Sequence, residues 1–445
     1  MVRLFKLFLY RVFIVVAALA AFFIGLCSRR PESSVLIWGP TPLINHKYWS
    51  EAMKRAGWDS KTLMSNYMPN NKREDFDLYY EDLIPPYVWP PRLRRELAPF
   101  AALAYIIRHA AVFHTSFLGG PLGQTPLWRL EAYLLRRAGI RTVILPFGGD
   151  AYMYSQIIDP SLRNGLLISY PDAARQEGQI AARVGYWTRH ADIIVGGFIV
   201  DGLGRWDVTV ASSLCIDRER WRCKTQYPMN DGITGPVKVM HAPNHRGVKG
   251  TEFVIEAVEQ LKAEGLQLEL ILLEKVPNDT VRELMQEVDI LVDQLVLPGY
   301  GLNAIEGMAL GLPVICNMEE TYTRLFRRYS FLNECPIVAS SVEMSKRDLK
   351  ALVVNPRLRE ELRRAGRQYV EKYHSYVAAQ YLFGCIYDKI LQGKDVDLMN
   401  LFHPLKSDYN RRKPHVNHPL IDSRLPPEYI NESSALDSEP MVPNA

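Results

Sequence analysis

The densest run of chemistry-bearing positions in the chain is Pro298-Gly299-Tyr300-Gly301-Leu302-Asn303-Ala304-Ile305-Glu306. Gly299 and Gly301 flank Tyr300 where an apolar strand pattern gives way to a helical one. Backbone N–H groups can converge there on a phosphate or a sugar with no Cβ in the way, and the helix dipole adds partial positive charge. Glu306 follows about one turn inside the helix, where a carboxylate can accept from two vicinal hydroxyls. A plain strand-loop-helix turn with a surface glutamate would show the same local pattern. A second constellation is His241-Ala242-Pro243-Asn244-His245-Arg246-Gly247-Val248-Lys249-Gly250, with Thr251 as an N-cap. Arg246 and Lys249 can neutralise a diphosphate, although two cations near a turn also describe an ordinary solvated face. Both windows follow strands, and ligands of open α/β sheets gather at the carboxyl ends of strands.

In the N-terminal half, Gly148-Gly149-Asp150 follows one strand, and His114 with Gly119-Gly120 ends another. Asp150 is a candidate general base or hydroxyl-orienting group. His114 is a candidate catalytic group, with a structural hydrogen-bonding histidine as the alternative. Arg92, Arg94 and Arg95 can meet anionic headgroups or a lipid diphosphate, or simply form an exposed turn after prolines. His415 and His418 lack a third ligand, and none of the six cysteines has C-x-x-C spacing, so no metal site is expected. A reduced, cytosol-facing chain is the expectation.

These groups need a scaffold. Val35 to Trp38 runs into Gly39-Pro40, and a helix with Trp49, Met53 and Ala56 ends near Gly57, the opening of an open α/β sheet. Ile84 to Pro91 reads as a proline-rich loop. Strands recur at Ala111 to His114, Thr142 to Leu145, Asp192 to Val195 and Val208 to Ala211, making one Rossmann-like unit over residues 32–224. Residues 225–236, with two prolines and two glycines, read as an interdomain linker. A second unit, 237–370, opens at Val237 to His241. Its first helix carries Val254, Ala257, Val258 and Leu261 on one face. Strands follow at Leu268 to Leu273, Ile290 to Leu297 and Val314 to Cys316. Helices with a break at Lys372 to Ser375 run to residue 392, and 393–445 is a proline-rich polar tail expected to pack loosely.

The composition, 48% hydrophobic and 23% charged, is that of globular domains. Arg3, Lys6, Arg11, Arg29 and Arg30 supply the net positive charge. The remainder is near neutral, which excludes a nucleic-acid footprint spread over the fold. Residues 1–31 form a hydrophobic helix, and residues 7–27 are the membrane-contacting stretch. The run Val12 to Cys27 gives about 24 Å of helix, slightly short of a ~30 Å hydrocarbon core, and Arg11 can snorkel. Ser-Arg-Arg-Pro after Cys27 is not a signal-peptidase site, so the segment reads as a retained anchor or interfacial helix.

The two C-terminal windows together resemble the retaining nucleotide-sugar glycosyltransferases of the GT-B fold, particularly family 4. The shared pattern is Lys249-Gly250 and then Gly299-Tyr300-Gly301-Leu302 leading to Glu306-Gly307-Met308-Ala309-Leu310-Gly311-Leu312-Pro313-Val314. Cys215-Ile216-Asp217-Arg218-Glu219-Arg220-Trp221 is similar to the family segment ahead of the linker. The resemblance covers roughly residues 190 to 385. It implies two Rossmann-like domains facing an interdomain cleft, which closes about residues 225–236 on a nucleotide-sugar donor. It also implies a saccharide or lipid-linked acceptor, no metal cofactor and a cytoplasmic, membrane-associated catalytic domain building surface polysaccharide or glycoconjugate. Arg246, Lys249, Gly299, Tyr300, Gly301, Leu302 and Glu306 would bind the donor. Two positions depart from the pattern. Pro298 stands where the family has a first glutamate, leaving Asp293 as a substitute, and Arg246 and Lys249 are separated by two residues rather than four. A non-catalytic GT-B-like carbohydrate- or nucleotide-binding subunit is the alternative. A Rossmann oxidoreductase is remote, since no G-x-G-x-x-G opens a helix after the first strand.

Overall fold

The computed structural model describes residues 2–29, 34–68, 71–88, 90–199 and 201–435, with side chains described from residue 8 to residue 433. Residues 30–33, where the N-terminal helix was expected to give way to the first domain, and 436–445 of the tail lie outside the described residues.

The chain divides into two units. The first, comprising 1–153, 176–208 and 379–398, is built on a six-stranded sheet: β1 (Val35–Trp38), β2 (Ser60–Met64), β3 (Leu78–Tyr79), β4 (Ala110–Thr115), β5 (Arg141–Ile144) and β6 (Ile193–Ile194). The order is β3-β2-β1-β4-β5-β6, with every pairing parallel. This is the 3-2-1-4-5-6 order of a doubly wound Rossmann sheet. All four residues of β1 are buried, as expected for a parallel strand covered on both faces. Four helices matter here: α1 (Val2–Cys27), α2 (Ile44–Arg55), α3 (Pro91–His109) and α4 (Glu131–Arg137). α3 occupies sequence that gave no clear helical signal. Pro91 starts it, where a missing N–H costs nothing, and Pro99 is carried inside it.

The second unit, 154–175, 209–378 and 399–445, has β7 (Val237–His241), β8 (Leu268–Leu272), β9 (Ile290–Val292), β10 (Val314–Cys316) and β11 (Val338–Ala339). They form a parallel sheet in the order β11-β10-β9-β7-β8. The Thr251–Ala263 helix buries Val254, Ala257, Val258 and Leu261, the face its spacing predicts. The Leu302–Leu310 helix ends at Gly311, whose φ of 79° is the left-handed conformation that closes a helix.

Three expectations are corrected. Residues 225–236 are not the crossing between units. Tyr227 donates to the Leu310 carbonyl and lies under the Arg363 guanidinium, so the segment packs within the second unit, and the chain crosses at 153/154, 175/176, 208/209, 378/379 and 398/399. The tail is not loose through 435. Phe402, Tyr409, Leu420 and Leu425 are buried, and the Glu334 carboxylate accepts from the Val416 amide. The strands at Val208 to Ala211 and Ile290 to Leu297 shrink to a single bridge at Val208 and to three residues ending at Val292.

Candidate functional site

At the carboxyl end of β7, His241 is buried, with Nδ1 against the Val292 carbonyl (2.8 Å) and Nε2 against Thr251 Oγ1 (2.9 Å). This braces the turn that delivers Arg246–Lys249. Gly250 follows with φ 70°, and a Cβ there would come within 3.0 Å of Leu295. Lys249 is thereby turned inward. Its Nζ donates to Asp293 Oδ1 at 2.6 Å and to Gln294 Oε1 at 2.9 Å. Just beyond β9 the next two side chains are taken up here: Gln294 also donates to the carbonyls of Leu297 (3.0 Å) and Gly299 (2.7 Å).

Asp293 is the hub. Its Oδ1 accepts from Asn303 Nδ2 at 3.2 Å as well as from Lys249, while Oδ2 is buried without a hydrogen-bond partner. Burial pushes this carboxyl up, but Lys249, Asn303 and the Gly301 amide outweigh it and hold the group below its ordinary value. A charged carboxylate therefore sits beside the first turn of the Leu302–Leu310 helix.

That helix begins at Gly301 with no side-chain cap, and a Cβ at Gly301 would meet nothing within 4 Å. The amides of Leu302, Asn303 and Ala304 are the orphan donors of this uncapped N-terminus, with free space in the Cβ direction of the capping Gly301. One turn on, partly buried Glu306 has no protein hydrogen-bond partner among the described residues. Burial raises its carboxyl to about 8, with Arg220 pulling it down and Asp293 adding to the rise. It is a desolvated group with unused acceptor capacity.

Five expected site residues are placed differently. The Tyr300 hydroxyl points inward, to Tyr369 OH (2.8 Å) and His374 Nε2 (2.9 Å), so this side chain is core, not donor contact. The Gly299 amide is spent on the Asn317 carbonyl at 2.8 Å and is unavailable to a phosphate. Arg246 forks onto Glu252 (2.7 and 3.0 Å) and Glu274 (2.8 Å), apart from the Lys249 cluster. In the first unit, His114 is fully buried and stacked on Trp38 with ring centroids 3.6 Å apart. Its nitrogens are taken by the Ile37 carbonyl (3.1 Å) and Tyr387 OH (2.9 Å), and burial lowers its pKa to about 3. It is a structural histidine, not a catalytic one.

Asp150 is likewise a fastening, not a free base. Oδ1 accepts the amides of Phe147 (2.9 Å) and Gly148 (3.1 Å), and Oδ2 that of Phe117 (2.9 Å), tying the loops after β4 and β5 together. Burial raises it to about 6 against those bonds. Glu131, which the sequence did not single out, does the same for Gly120 (2.7 Å) and Leu122 (2.9 Å). Asp293, the substitute the sequence offered for the missing glutamate, is the hub, whereas its neighbour Gln294 was the more readable omission, a second polar residue interrupting an apolar run.

Comparison with known proteins bears on both the domain and the fold. Residues 250–369 match the family model described as glycosyl transferases group 1. The fold is similar to that of sucrose-phosphate synthase from Thermosynechococcus elongatus, at 12% identity and TM-score 0.53 over 82% of this chain and 100% of that one. It is also similar to TarM of S. aureus, solved with fondaparinux, alpha-GlcNAc-glycerol and UDP, at 8% identity and TM-score 0.50 over 78% of this chain and 98% of that one. No curated protein matches the chain in sequence. The two parallel-sheet units are those of the GT-B glycosyltransferase fold, and the matched segment holds β8 to β11 with the Leu302–Leu310 helix. The chain is accordingly an enzyme of the glycosyltransferase class.

Proposed function

We propose that the chain moves a sugar from a nucleotide-sugar donor to a saccharide or lipid-linked acceptor with retention, as a family 4-type enzyme of surface polysaccharide or glycoconjugate synthesis. The observation that carries this reading is the uncapped, open N-terminus of the Leu302–Leu310 helix, with Lys249 anchored beside it and partnerless Glu306 one turn inside. As the glycosidic bond breaks, negative charge grows on the diphosphate. The amides of Leu302, Asn303 and Ala304 are preorganised donors for that charge. Lys249 adds a fixed cation whose charge is half-shared with Asp293, so the helix terminus carries more of the work than the lysine. Glu306 accepts the hydroxyls of the nucleotide ribose. The acceptor hydroxyl attacks from the face the diphosphate leaves, and the apolar helix α1 supports a membrane-associated enzyme whose acceptor is at a lipid surface.

The second reading, a non-catalytic binding subunit, is favoured by Pro298 in place of the first family glutamate. Titrating the full chain with nucleoside diphosphates, then following diphosphate release from a panel of nucleotide-sugars and acceptors, separates the two. Turnover supports the enzyme. Tight binding with no turnover on any acceptor overturns it.

A further inference from the structure

Helix α1 has two apolar faces, and the protein covers only one. Ile14, Ala18, Ala21 and Gly25, at i, i+4, i+7 and i+11, are buried. Phe13 meets Phe100 of α3 edge-on at 6.2 Å. Gly25 lies so close to α3 that a Cβ would come within 2.8 Å of the Ala104 carbonyl and of Ile107. At its two ends the helix is tied by Tyr10 OH on Glu96 (3.4 Å) and by Arg29, which donates to the carbonyls of Ile107 (2.6 Å) and Ala110 (2.9 Å). From Tyr10 onward α1 is thus fastened to the rest of the first unit.

The opposite face carries Phe8, Val12, Val16, Leu19 and Phe23, with Phe8 60%, Val16 59% and Phe23 57% exposed. From Val12 to Cys27 it bears no charge. The strip is about 22 Å long, more contiguous apolar surface than a protein in water normally leaves bare. Crossing a bilayer would strip α1 from α3, unpair the Arg29 guanidinium and uncover Leu97, Ala101, Ala104 and Tyr105, which pack in the same cluster. Lying in the plane of the membrane requires none of this. An in-plane helix needs one polar side, and here the body of the protein takes that place.

Charge identifies the surface. Arg11 is exposed near the Tyr10–Glu96 end. Arg92 and Arg95, on the first turn of α3, are exposed beside Tyr87 and Leu93 and make no ion pair among the described residues. We propose that the free face of α1 is an in-plane membrane-binding surface for an anionic bilayer. Its side chains lie at the acyl boundary, and Arg11, Arg92 and Arg95 meet headgroup phosphates. The proposal stands apart from the sugar-transfer reading.

The test uses the full chain with Cys27, Cys223 and Cys385 changed to serine and single cysteines introduced by Phe8→Cys, Val16→Cys and Phe23→Cys for an environment-sensitive fluorophore. Phosphatidylcholine vesicles with or without phosphatidylglycerol carry depth-graded quenchers. An in-plane helix places all three labels at one shallow depth, roughly 5–10 Å into the boundary. Arg92→Ala with Arg95→Ala weakens binding to the anionic vesicles roughly 30-fold, about fivefold per lost cation. A profile with Val16 at the bilayer centre and the other two labels shallower overturns the proposal in favour of a spanning helix. Unquenched labels on self-associated protein overturn it in favour of a second copy of the chain.

Discussion

The Lys249 ammonium lies 2.6 Å from Asp293 Oδ1, and both side chains are buried. Each charge is tolerated because of the other, and together they bring the cation to the first turn of the Leu302–Leu310 helix. Removing one partner strands its counterpart in a desolvated site, a loss of about 3–5 kcal/mol. Lys249→Met and Asp293→Asn should therefore both lower the melting temperature and both abolish most sugar transfer. The double variant should recover stability without recovering turnover. Recovery of both would take the pair out of the reaction.

Glu306 gives a pH signature. Its carboxyl is raised from 4.5 to about 8, so the folded chain holds this proton more tightly than the unfolded chain across that interval. The stability it contributes is present below pH 4.5 and lost as pH rises to about 8. Melting temperatures measured between about pH 6 and 9 should decline in the parent chain and flatten in Glu306→Gln, whose donor affinity falls.

Gly301→Ala separates ligand space from folding. With φ at −106° and nothing near its Cβ direction, alanine fits the backbone. The new methyl group projects into the space assigned to the diphosphate. Donor KM should rise by about tenfold, equivalent to about 1.4 kcal/mol, while the melting temperature holds.

Tyr300→Phe should do the reverse. It removes the hydroxyl shared with Tyr369 and His374 inside the second unit, costing about 1–3 kcal/mol of stability. Donor KM should be unmoved, and a large rise would restore Tyr300 to the binding site.

Asp150→Ala leaves the buried amides of Phe117, Phe147 and Gly148 without an acceptor. Denaturant midpoints should fall markedly, at about 1–3 kcal/mol per orphaned group before relaxation. The kcat of the protein that remains folded should stay within about twofold of the parent, a change of less than 0.5 kcal/mol in the barrier.

The sequence was most readable where one periodicity ruled. The Thr251–Ala263 helix follows from four apolar positions on one face, and the Gly301 start and Gly311 stop of the next functional helix follow from residue type. α3 was obscured by prolines at 90, 91 and 99, which normally punctuate. The role of His114 depends on partners far along the chain, and those of Asp150 and Glu131 on backbone amides that only the folded loops present to them. An acid that caps a distant loop and an acid that takes a proton have the same letter, and only burial with counted hydrogen bonds tells them apart. The fold of the tail was hidden for a similar reason: Phe402, Tyr409 and Leu420 obey no period and find their neighbours only in three dimensions.

The return of residues 379–398 to the first unit bears on how the protein is made. Phe383 and Tyr387 cover Trp38 and His114 at the heart of the six-stranded sheet. When that sheet leaves the ribosome its centre is bare, and it stays so until nearly the whole second unit has been translated. The unit whose sheet is synthesised first therefore closes its core only after most of the second unit has been made.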